Sequence, residues 1–208
     1  MTRFTVICAM VLAAVLVISP TTQAITIEFA PAGQTVVLGS PASVDVNISG
    51  LTGALTLGAY DLNINFSSTI LSTPTVTFGT GLSLGLIGGS TTGVSGTNPR
   101  NVFEVSLILP PSLLAANQPD SFRLFTLAFN TLALGTSPLS LSDIILGDEF
   151  GEDITPRLTT VGTGSITVTP VPDNGGGNPI PEPSTWMLMA SGLVLLCLGR
   201  RRLACSRV

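Results

Sequence analysis

From Ile25 to Val168 the apolar side chains recur at every second position, and that period commits this stretch to strands. Ile25-Thr26-Ile27-Glu28-Phe29 alternates cleanly, as do residues 44–48 and 60–66. In the last of these, Asp61, Asn63 and Asn65 fall on the side opposite Leu62, Ile64 and Phe66, giving one wet face and one core face. Further strands are expected at 75–78, 82–87, 102–109, 122–130, 138–146 and 164–168. Clusters of Gly, Pro, Asn and Ser separate them at the spacing of a sandwich. Residues 115–120 alone have slight helical character, and 85–96 read as a polar loop joining strands. Eight or nine short strands in about 145 residues predict an all-β, two-sheet β-sandwich, with a closed barrel as the alternative.

Composition removes many chemistries. The 208 residues contain no His and no Lys, and all eight cations are arginines. A Ser–His–Asp triad, a Cys–His pair and a His-bound metal are therefore excluded, as are a lysine Schiff base and a P-loop. Residues 25–183 hold all twelve carboxylates against three arginines, a net charge of −9. An acidic body repels phosphate backbones, so no nucleic-acid partner is expected. The three cysteines, Cys8, Cys197 and Cys205, all lie outside that stretch, so it must rely on its core rather than on disulfides.

The two ends read as targeting segments. Residues 1–24 form a signal peptide: Arg3, an apolar run over 4–18, then Pro20 and small residues, with cleavage expected after Ala24. At the other end, residues 186–199 are uncharged and mostly apolar, and Arg200, Arg201 and Arg202 follow at once. Fourteen residues at about 1.5 Å rise span only about 21 Å of a roughly 30 Å hydrocarbon layer. The all-round apolar surface, the cationic stop, Trp186 at the boundary and snorkelling arginines nonetheless favour a single transmembrane helix oriented N-out, C-in. Ahead of it, residues 170–180 form a Pro/Gly linker that cannot pack a core.

Pro181-Glu182-Pro183, the short apolar segment and the arginine cluster follow one another in the order and spacing of the PEP-CTERM sorting signal of Gram-negative bacteria, which residues 181–208 resemble. That resemblance implies a substrate of an exosortase-type membrane protease. The apolar helix would hold the chain in the membrane, Arg200, Arg201 and Arg202 would stop its transfer, and Pro181, Glu182 and Pro183 would be recognised. Cleavage there would free the body for the cell surface or an extracellular matrix.

A second resemblance covers most of 26–168. Gly39 precedes the valine-rich segment Val44-Asp45-Val46-Asn47-Ile48, Gly50-Leu51 makes a turn, and Ala59-Tyr60-Asp61-Leu62-Asn63-Ile64-Asn65-Phe66 follows. Leu124-Phe125-Thr126-Leu127-Ala128-Phe129 and Gly135 come later. This plan is similar to the cohesin-type domain, although Phe66-Ser67 stands where that family often has Tyr-Asp. The resemblance implies a jelly roll of about nine strands at 25–169. Cohesins bind dockerin modules through one sheet face, but no residue here matches a diagnostic dockerin contact, so that partner is not carried over.

Within the body, Asp148, Glu149, Glu152 and Asp153 are the weak candidates for a Ca²⁺ site, four carboxylates around Gly151. They lack the Asp-x-Asp-x-Asp-Gly spacing of an EF-hand, and a solvated acidic loop accounts for them. Glu104 and Asp143 are conceivable as the paired carboxylates of a glycosidase, though alternation predicts that both point outward. No cofactor is implied. The expected function is an exported structural or adhesive module with an extracellular protein or polysaccharide partner. A secreted carbohydrate-active enzyme or glycan-binding protein is the alternative.

Overall fold

A computed structural model describes residues 24–52 and 55–172. Its strands are β1 (Ile25–Ala30), β2 (Gly33–Val37), β3 (Pro41–Ser49), β4 (Ala59–Asn65), β5 (Thr75–Phe78) and β6 (Ser90–Ser95). They continue with β7 (Arg100–Ser106), β8 (Ser121–Asn130), β9 (Gly135–Gly147), β10 (Leu158–Val161) and β11 (Gly164–Thr169). One short helix, α1 (Pro111–Asn117), and a 3₁₀ turn at Thr155–Arg157 interrupt them.

The strands form two sheets, a five-stranded one in the order β10-β1-β3-β8-β5 and a six-stranded one in the order β2-β11-β9-β4-β7-β6. Alternation decides what lies between them. From β3, Ala42, Val44, Val46 and Ile48 point inward; from β4, Tyr60, Leu62 and Ile64 do. They meet Leu124, Phe125, Leu127 and Phe129 from β8 in one continuous core. Opposite the Val46–Asn47 step of β3, β8 bulges by one extra residue, Leu124, so Leu124 and Phe125 both turn inward, which strict alternation forbids. Ring contacts tie the layers, Tyr60 to Phe125 at 5.9 Å and Phe66 edge-on to Phe129 at 5.4 Å. Core, strand pairings and sheets all close within residues 25–169, so the sandwich carries everything an independently folding domain needs.

Three sequence expectations require correction. The alternating apolar run at 82–87 is a series of turns, because Leu84 and Gly85 both sit at positive φ, which no strand tolerates. Part of the expected polar loop at 85–96 is instead strand β6, held against β7 over Ser90–Ser95. The helical segment begins earlier than 115: Pro111 occupies the first turn, where its missing N–H costs nothing, and Pro119 follows the C-cap Gln118.

The loops divide between two poles. At one pole lie the start of β1, the β7–α1 connection, the start of β8 and the loop after β9; Gly58 joins two of these by donating to Gly147 and accepting from Ser106. At the other pole, β9 begins at Gly135 and the chain leaves β11 at Thr169.

Candidate functional site

The outer face of the six-stranded sheet carries an interlocked set of polar side chains. Alternation on β4 sets Asp61, Asn63 and Asn65 outward, as expected from sequence. Asn101 of β7 donates from Nδ2 to Asp61 Oδ1 at 2.6 Å and to Asn63 Oδ1 at 3.1 Å. On the other side, Asn63 Nδ2 donates to Asp143 Oδ2 at 2.8 Å, and Asn65 Nδ2 to Ser142 Oγ at 3.0 Å. Ser95 of β6 adds a longer contact to Asn101 Oδ1 at 3.4 Å. Four adjacent strands thus share one belt of amides, carboxylates and hydroxyls. Each side chain is held by its neighbours, so little conformational entropy remains to be lost when a partner binds.

Asp143 reaches this belt through a bulge. Leu62 of β4 lies opposite two residues of β9, Asp143 and Ile144, and Asp143 takes φ 50°. Asp and Asn tolerate this left-handed conformation better than branched residues do. Its side chain is exposed, as the sequence predicted.

Glu104 contradicts the outward placement predicted for it. It is 1 % exposed and points into the core, in phase with Val102, while Phe103 and Val105 take the outer positions of β7. Pairing fixes that parity: Leu62 lies opposite Val102 and Tyr60 opposite Glu104. The Tyr60 hydroxyl donates to Glu104 Oε2 at 3.1 Å, while Oε1 makes no hydrogen bond. Burial pushes the Glu104 carboxyl above the usual carboxylate range, against hydrogen bonds from Ser90 and Tyr60 that pull it down. Burial, then the nearby Glu104, raises the Tyr60 phenol as well. Glu104 and Asp143 therefore occupy opposite faces of one sheet and cannot flank a single glycosidic bond.

The acidic loop uses its carboxylates to close its own turns. Asp148 Oδ1 accepts from the backbone N–H of Phe150 at 2.8 Å and of Glu152 at 2.9 Å, around Gly151 at φ 85°. Asp153 Oδ1 accepts from the Thr155 N–H at 2.8 Å, and hydrogen bonding from Thr155, side chain first, holds its carboxyl below the ordinary value. Glu149 accepts from the Thr56 hydroxyl. No group of three or more Asp, Glu, His or Cys among the described residues is gathered for a metal ion.

Ala24, the predicted cleavage residue, directly precedes β1, and its carbonyl lies so close to Gly50 that a Cβ there would sit 2.1 Å away. Pro181, Glu182, Pro183, Arg200, Arg201, Arg202 and the apolar segment at 186–199 lie outside the described residues. Sequence reasoning missed Asn101, Ser142 and Ser95. Their polarity at outward positions was the only available signal, and it does not say which strands are neighbours.

Comparison with known proteins bears on both halves of the chain. Residues 179–202 match the PEP-CTERM protein-sorting motif, so this is an exported protein with a sorting signal. The sandwich is cohesin-like in fold. It is similar to a type II cohesin domain from the cellulosome of Acetivibrio cellulolyticus, with TM-score 0.55 and 17% identity over 69% of this chain and 94% of that one. A type I cohesin–dockerin complex from Clostridium thermocellum gives TM-score 0.55 and 13% identity over 70% and 99%. The sixth cohesin of scaffoldin B from Acetivibrio cellulolyticus, solved with a dockerin, gives 0.53 and 16% over 70% and 98%. No curated protein sequence matches the chain.

Proposed function

We propose that this chain is a substrate of an exosortase-type protease and that its sandwich is a structural or adhesive module acting by protein–protein contact. The signal peptide is removed after Ala24, the linker at 170–180 carries the sandwich, and the segment at 181–208 anchors it in the membrane. Cutting near Pro181-Glu182-Pro183 then releases the body to the cell surface or extracellular matrix. What supports this reading is one combination: a PEP-CTERM motif at 179–202 on the same chain as a cohesin-like sandwich. Two of the similar structures contain a cohesin together with a dockerin, which makes protein binding the natural use of such a fold. The belt formed by Asp61, Asn63, Asn101 and Asp143 is the contact surface in this reading, because its donors and acceptors are already fixed in place.

Two measurements test it. The intact mass of the protein from the extracellular fraction of its own host should place the C-terminus within 181–185; a chain still ending at Val208 would exclude processing. The purified domain comprising residues 25–172 should bind host envelope saturably, and protease treatment of the envelope should abolish binding. Retention after protease but loss after periodate would point to a polysaccharide instead.

A further inference from the structure

The pole opposite the chain's exit at Thr169 is unusually apolar. Ile87 is fully exposed, Leu109 79%, Leu86 55%, Leu107 54% and Leu113 42%. Leu86 and Ile87 lie in one loop, Leu107 and Leu109 in the adjacent one and Leu113 in α1 beyond it; the Leu107 N–H donates to the Gly89 carbonyl, and the Gly89 N–H to the Leu86 carbonyl. Between the loop at 79–86 and α1 runs a groove of about 530 Å³. Leu84, Leu86 and Leu113 line its walls, Phe122 its floor, and among the described residues Arg123 is its only charged lining residue.

The groove is a built feature. Gly81 lies flat on the Phe122 ring, where a Cβ would come within 2.1 Å. Gln118 at the end of α1 locks the surroundings, bonding both the N–H and the carbonyl of Leu57 and donating to the Gly81 carbonyl at 3.1 Å. Leu84 takes φ 51°, a conformation a leucine adopts only against a steric cost, and it lines the groove.

We propose that this tip docks a partner protein through an apolar projection flanked by cationic side chains. The proposal rests on the reading of the sandwich as a protein-binding module and names a second surface on it. Apolar crowns of this extent mark interaction sites. A small molecule held in the groove would leave Ile87 and Leu109 in water, whereas a protein covers both. Charge selects among macromolecules: Asp120, Asp148, Glu149, Glu152 and Asp153 lie at this pole against Arg123 and Arg157. That excess of carboxylates repels anionic lipid surfaces and a second acidic tip, and attracts a basic flank. The chain's exit from β11 lies at the other end of the 13-residue β9, roughly 40 Å from the tip.

The test uses the domain at 25–172, which carries its own core, with a fluorescent amphipathic helical peptide of Leu and Lys and its Leu and Glu counterpart. The Leu/Lys peptide should bind saturably and weaken as salt rises, and the Leu/Glu peptide should bind at least tenfold more weakly. Ile87→Asp and Leu109→Asp should each weaken Leu/Lys binding at least tenfold with melting unchanged, since both side chains already face water. Absent or equal binding of the two peptides, or variants that bind like the parent, would overturn the proposal. In the envelope assay, a parent domain that binds nothing defeats the module reading itself. Binding that survives Ile87→Asp and Leu109→Asp together, while the parent also binds, defeats only the tip.

Discussion

Tyr60 and Glu104 face each other on adjacent antiparallel strands, and the phenol donates to the carboxyl across 3.1 Å in a space closed to solvent. Removing the donor by Tyr60→Phe strips the buried carboxyl of one of its two side-chain hydrogen bonds and leaves only that from Ser90. The expected cost is about 1–3 kcal/mol, seen as a fall of several degrees in the melting midpoint. The same pair sets a pH dependence. Burial raises the folded-state value of Glu104 above the unfolded one, so its contribution to stability is complete below the ordinary carboxylate range. That contribution is lost as pH rises through the elevated folded value. Midpoints measured from pH 4 to pH 7 should therefore decline more steeply in the parent domain than in Glu104→Gln; superimposable profiles would show that this carboxyl does not titrate on folding.

Gly79 meets β8 where no side chain fits. A Cβ there would lie 1.9 Å from the Arg123 carbonyl oxygen, a backbone atom that cannot swing aside, and the Gly79 N–H bonds to the Leu124 carbonyl at 2.7 Å. Gly79→Ala should cost about 2 kcal/mol or more by forcing the loop off the strand. Chemical denaturation reads this directly, and a loss under about 0.5 kcal/mol would mean that the loop yields easily.

Asn101 is the hub of the polar belt, bonded to Asp61 and Asn63 at once. Because the belt is at the surface, Asn101→Ala should alter stability by no more than about 0.5 kcal/mol. Binding to host envelope should nevertheless weaken about tenfold, since Asp61 and Asn63 lose their shared positioning donor. Unchanged binding would move the contact off this face.

Asp148 closes the acidic loop through two backbone N–H groups, so its carboxylate is already occupied. Asp148→Ala should lower stability by about 1 kcal/mol. Millimolar Ca²⁺ should leave the melting midpoint of the parent domain where it was; a rise of several degrees would establish a cation site there.

Alternation made β3, β4 and β8 legible, because each has one wet and one buried face. It failed wherever that contrast was absent. β10 has no fully buried residue and offered no pattern, while β2 places the polar Gln34 inward, opposite Ile166. At 82–87 the leucines do alternate, but Gly85 and Gly88 at positive φ turn the segment, so Leu82 drops into the core while Leu84 and Leu86 line the apolar tip instead of a sheet. Alternation read along this one strand assigns Glu104 to the outer face. Its true parity is set by its partner on β4, 44 residues away in sequence. The polar belt shows the same limit: Asp61, Asn63 and Asn65 could be seen to share a face, but Asn101 and Asp143 join them only through strand order.

The chain leaves the sandwich from the end of β11, a strand flanked on one side by parallel β2 and on the other by antiparallel β9. A load applied there and resisted at the far pole would run along the strand. The five pairings with β2 and the five with β9 would then be strained together in shear rather than peeled one after another. A tether at Thr169 would thus load all ten pairings at once, an arrangement that resists pulling better than a ladder opened from its end.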